Sequence, residues 1–129
     1  MEEAVGLLVL AFGLIVAAGA VHHVRNSAAG GALERNVLIG LRTRATLASD
    51  RAWREGHLAA VPWLTATVRV GYVAGVVAVV SVLASMAVEA LLPVVWIVAV
   101  AGYTASTACL VTGTVKAHRA AEAFGPSPR

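Results

Sequence analysis

The residues best equipped for chemistry lie in one stretch, NVLIGLRTRATLASDRAW, which runs from Asn36 to Trp53. It carries Asn36, Gly40, Arg42, Thr43, Arg44, Thr46, Ser49, Asp50 and Trp53 in a chain that is otherwise mostly hydrocarbon. Arg42 and Arg44 bring planar donor forks that match a carboxylate or a phosphate. Asn36, Thr43 and Thr46 add neutral hydrogen-bonding groups, and Gly40 permits a tight or left-handed backbone position. Such a set could hold a lipid headgroup, a peptide carboxylate or an acidic partner segment. The plain alternative is that the arginines are anchors drawn to anionic lipid, each worth about 1 kcal/mol.

Other chemistries find less support. His22, His23, His57 and His118 would all fall near one membrane rim, yet no carboxylate or thiol joins them at ligand spacing, so no metal site is expected. There is no Ser-His-Asp order, nucleophile elbow or phosphate-binding glycine loop, so neither an enzyme nor a cofactor is expected. Cys109 is the single cysteine and lies inside an apolar run, which suits a small packing residue. Arg69 is the one charge that could enter the hydrocarbon, either snorkelling to the headgroups or held inside as a functional group.

The elements that must position the polar stretch are membrane spans. Of the 129 residues, 59% are hydrophobic and 13% charged, against about a quarter charged in a soluble domain. The fold class is therefore all-α and membrane-embedded, as one domain of three transmembrane helices. The first span covers about residues 4–24, and Gly30 and Gly31 discourage helix continuation beyond it. A polar motif loop over 34–57 follows, lying along the membrane surface or re-entering it. Within it a short amphipathic helix starts near Ser49, a good N-cap, with Asp50 placed to pair with Arg54. Trp53, His57, Ala60, Val61 and Leu64 on that helix form a stripe expected to face the membrane.

Pro62 should kink this helix or open a separate span over about 67–88. A short turn, Glu89 to Pro93, then leads to a third span over about 91–115, and the tail at 124–129 is expected to be disordered. Gly71 and Gly75 form a GxxxG pattern, and Ala101, Ala105, Cys109 and Gly113 repeat every four residues. Gly71, Gly75, Ala105 and Gly113 are the expected helix-packing positions within the bundle, with homo-oligomerisation as the alternative use.

Arg25, Arg35, Arg42, Arg44, Arg51 and Arg54 flank or occupy the first loop, and Lys116, Arg119 and Arg129 lie in the tail. The N-terminus and the turn between spans two and three hold no Lys or Arg. The expected topology is thus N-terminus outside and C-terminus cytoplasmic, in the inner (cytoplasmic) membrane. The formal charge of +3 is explained by this clustering without direct nucleic-acid binding.

The stretch resembles the signature of the SdpI immunity-protein family: an Asn, then Ile-Gly-Ile-Arg-Thr, a Thr, an acidic residue and a Trp. Asn36, Ile39, Gly40, Arg42, Thr43, Thr46, Asp50 and Trp53 match it, whereas Arg44 and Ala45 stand where the family usually has Pro-Trp. The resemblance implies a recognition loop built on Asn36, Gly40, Arg42, Thr43, Thr46, Asp50 and Trp53. It also implies protection of a producing cell from a secreted, membrane-active peptide toxin. In the founding system it further implies signalling, by holding a cytosolic transcriptional regulator at the membrane. A small transporter or lipid-handling protein, with Arg69, Ser81, Ser85, Thr107 and Thr112 as its polar path, is the alternative, as is a membrane-tethered adaptor.

Overall fold

A computed structural model describes residues 1–35 and 39–125. Asn36 and tail residues 126–129 lie outside the described residues. The described residues form three long helices, α1 (Glu2–Ala29), α2 (Asp50–Ala87) and α3 (Leu92–Glu122), with one 3-10 turn, Glu89–Leu91, joining the last two. Each is long and apolar enough to cross a membrane, so this is a multi-pass membrane protein.

α2 lies between the other two helices, which touch each other little. Leu7, Ala11, Leu14 and Ala18 form the buried seam of α1, while Val5, Val9, Phe12 and Val16 remain exposed, as suits side chains facing lipid. Gly71 and Gly75 take that seam: a Cβ on Gly71 would stand 2.7 Å from Ala18 Cβ, and one on Gly75 2.5 Å from Ile15 Cγ1. The GxxxG pattern therefore closes α1 onto α2 within the bundle. Gly113 does the same for α3, where a Cβ would come 3.0 Å from Trp63 Cβ. Two side chains bridge α1 and α3 directly, through Tyr103 Oη donating to Leu10 O (2.6 Å) and Trp96 Nε1 to Glu3 Oε1 (2.8 Å).

Ala105 does not pack as expected. It is exposed, as is Ala101, and the buried face of α3 is Val95, Ala99, Gly102, Gly113, Ala117 and Ala121. A strict four-residue repeat advances about 40° per step around a helix of 3.6 residues per turn, so it walks off the contact face within three steps.

Four further expectations change. α2 runs unbroken through Pro62, so the short helix at Ser49 and the second span are one helix of 38 residues. The stripe of Trp53, His57, Ala60 and Leu64 faces the protein interior, each of the four at most 2% exposed. α1 also continues past Arg25 to Ala29, and Gly31 then turns the chain at φ +72. Phe124, expected in a disordered tail, is held: its carbonyl accepts from Ser49 Oγ (3.0 Å) and Arg51 stacks over its ring at 4.7 Å.

At about 1.5 Å per residue, α2 is roughly 57 Å long, against an apolar bilayer thickness of about 30 Å. Its first turns, carrying Arg51, Arg54 and Glu55, therefore stand beyond the hydrocarbon. They form the frame for the loop, with the end of α3 packed alongside at Gly56, where a Cβ would meet Ala117 O at 2.9 Å.

Candidate functional site: the polar loop and its frame

α2 begins at Ser49, whose Oγ accepts from Ala52 N at 3.0 Å and so caps the first turn. Asp50 pairs with Arg35 Nε at 3.0 Å, not with Arg54, because the loop returns over this turn. Arg35 Nη1 also donates to Leu47 O at 3.1 Å, which ties the two ends of the loop together.

Thr43 and Thr46 form a reciprocal pair. Thr46 Oγ1 accepts from Thr43 N (2.8 Å), and Thr46 N donates to Thr43 Oγ1 (3.2 Å). The Thr46 hydroxyl then donates to Leu41 O at 2.8 Å. Thr46 is fully buried, so its methyl fills space against Gly56 while its oxygen replaces missing backbone partners. Valine would supply the methyls and none of the bonds.

Gly40 is required twice over. Its φ of +135 is a region L side chains rarely adopt, and a Cβ there would stand 2.7 Å from Trp53 Cη2 and 3.0 Å from His57 Nε2. This closeness lets the next residue reach the histidine: Leu41 N donates to His57 Nε2 at 2.8 Å. Nε2 is thus the acceptor, and the ring proton sits on Nδ1, which donates to Trp53 O at 2.8 Å. His57 is held neutral, and burial pushes its pKa below the ordinary value, partly offset by the Trp53 carbonyl.

Trp53 completes the knot. Its ring lies 4.2 Å from the His57 ring, its Nε1 donates to Leu33 O at 3.0 Å, and Arg42 lies over the ring, Cζ 5.8 Å from its centre. Arg42 Nη1 also donates to Arg35 O at 3.3 Å, and the residue is exposed. Arg44 points away toward the end of α3, lining a crevice with Ala48, His118 and Glu122.

Gly40, Arg42, Thr43, Thr46, Asp50 and Trp53 therefore come together in one folded unit. Four of them look inward as construction, and Arg42 and Asp50 reach the surface. His57 is the residue that sequence reasoning undervalued; its spacing of four from Trp53 was the available signal. The other histidines do not join it, and no group of three or more His, Cys, Asp or Glu able to hold a metal ion gathers among the described residues.

Residues 32–111, more than half of the chain, match the SdpI/YfhL protein family. The chain belongs to that family. The matched segment begins at the loop, takes in all of α2 and ends within α3. No curated protein and no solved structure matches the chain.

Proposed function

We propose that this SdpI-family membrane protein confers resistance to a secreted, membrane-active peptide toxin, without catalysis, and that the framed loop is its recognition element. The observation that carries this reading is the placement of Arg42. Arg42 is exposed at the loop surface and steadied by the Trp53 ring and the Arg35 carbonyl, on a backbone fixed by Gly40, Thr46 and His57. A planar fork whose position is fixed in this way is the side chain that suits a carboxylate, at little further entropic cost. In this proposal the loop and C-terminus face the cytoplasm and the N-terminus faces outside, in the cytoplasmic membrane, as the Lys and Arg distribution favours.

The test is survival of cells expressing each variant under the cognate toxin. Arg42→Lys keeps the charge and loses the fork, so resistance should fall about ten- to a hundred-fold in tolerated toxin, with normal membrane insertion. Full protection by Arg42→Lys would leave the loop as a mere charge anchor.

A second reading, tethering of a cytosolic regulator, is favoured by the length of α2, which lifts the loop clear of the hydrocarbon. In that case the variant would alter a transcriptional reporter while leaving toxin survival unchanged.

A further inference from the structure

Counting from the hairpin end locates a second polar feature. Glu2, Glu3 and Glu89 mark the water boundary there, and about twenty helical residues cross the hydrocarbon. The opposite boundary then falls near His22 on α1 and near Thr67 to Arg69 on α2. At that level polar side chains of the two helices meet. Arg25 Nε donates to Thr65 Oγ1 at 3.0 Å and its Nη1 to Asn26 Oδ1 at 3.0 Å. One turn further along α2 stands Arg69, exposed on the face that Thr65 occupies. His22 Nδ1 meets Tyr72 Oη at 3.2 Å, another turn in.

This cluster carries positive charge without local compensation. Among the described residues neither Arg25 nor Arg69 pairs with a carboxylate. Asp50 is taken by Arg35 and Glu122 by His118, and Glu34 lies against Asp50, Trp53 and Arg54 at the far end of α2. Glu55 begins ten residues from Thr65, about 15 Å along the helix. Arg25 uses two of its five N–H donors within the protein, and Arg69 makes no hydrogen bond among the described residues. Toward the hairpin, Val73, Val76 and Val80 continue the same face and are exposed.

We propose that the α1–α2 surface at this level binds the phosphate of an anionic phospholipid headgroup in the leaflet on the loop side, between Arg25 and Arg69. Asn26, Thr65 and His22 border it, and the acyl chains lie along Val73, Val76 and Val80. Arginine forks suit a phosphate oxygen pair, and the hydrocarbon edge strengthens the attraction by excluding water. This site is separate from the framed loop, so it stands or falls apart from any role in resistance.

The test uses the full chain, purified and stripped of lipid in a zwitterionic detergent, with thermal midpoint as the readout. Short-chain phosphatidylglycerol should raise the midpoint, and phosphatidylcholine of the same acyl length should not. Arg69→Gln should weaken the apparent affinity for phosphatidylglycerol roughly five-fold, the effect of one basic residue near a membrane surface. The double variant Arg25→Gln, Arg69→Gln should abolish the shift. Arg51→Gln removes an equal charge near Phe124 and should leave the affinity unchanged. Equal shifts from the two lipids, or equal losses in Arg51→Gln and Arg69→Gln, would overturn the proposal. So would saturation by inorganic phosphate alone, which would make this an anion site with no use for lipid. A lowered midpoint for Arg69→Gln in detergent alone would make Arg69 structural and likewise overturn it.

Discussion

Between the membrane spans, α1, α2 and α3 are held together mainly by what their side chains lack. Gly71, Gly75 and Gly102 sit where any Cβ would overlap a neighbour, and the contacts they admit are non-directional dispersion. At the loop end the opposite holds. There Thr43, Thr46, Trp53 and His57 fix the chain through directed hydrogen bonds, and each oxygen or nitrogen has a named partner. The difference follows from solvent. Between lipid tails, helices already satisfy their own backbone, so close approach is what remains to be gained. Outside the hydrocarbon, an irregular loop over an apolar frame leaves backbone groups that only nearby side chains can satisfy.

The comparison breaks first at the small residues. Gly75→Leu should separate α1 from α2 and destabilise the protein by about 3 kcal/mol or more, because overpacking a tight contact forces backbone movement. Val77→Leu, at an exposed position, should change stability by less than about 0.5 kcal/mol. Thermal unfolding in detergent separates them, and equal midpoints would mean that Gly75 does not hold the α1 contact.

Gly40→Ala should come next, at about 1–3 kcal/mol, through left-handed strain and the clash with Trp53. Its effect should be local: proteolysis within the loop should rise while the spans remain intact. A loop as resistant as the wild type would show that Gly40 is not constrained by Trp53.

The smallest effect concerns pH. Since the folded pKa of His57 lies below its unfolded value, the stabilisation from the Leu41 N bond is fully present above about pH 6.5 and is lost as pH falls through the lower, folded pKa. Protonation turns Nε2 into a donor facing another donor, and losing one hydrogen bond costs about 1 kcal/mol. The protection of the Leu41 amide relative to its intrinsic exchange rate at each pH should therefore drop several-fold as pH falls from 7.5 through the folded pKa, and His57→Gln should flatten that response. Unchanged protection in the wild type would contradict the assigned tautomer.

Much of this was legible in the residues themselves. Long apolar runs can be satisfied only as spanning helices, so three spans follow from composition and length. Ser49 as an N-cap and Gly71 with Gly75 as packing positions also follow, because capping and close approach depend on local residue type. The motif could be read as a set, but not the duty of each member. By helix spacing Asp50 reaches Arg54, and only the return of the loop brings Arg35 to it instead.

His57 shows the same limit. A histidine four residues from a tryptophan reads as an interfacial pair. Its role as acceptor for Leu41 depends on a chain crossing sixteen residues earlier. Ala105 marks the opposite error, where a periodic pattern suggested a face that the helix turn of 3.6 residues does not sustain. Sequence thus determined which segments cross the membrane and where the polar chemistry sits, because those depend on transfer from water. Tertiary structure decided which polar groups meet, because a hydrogen bond requires a partner within about 3 Å and chain order does not specify that distance.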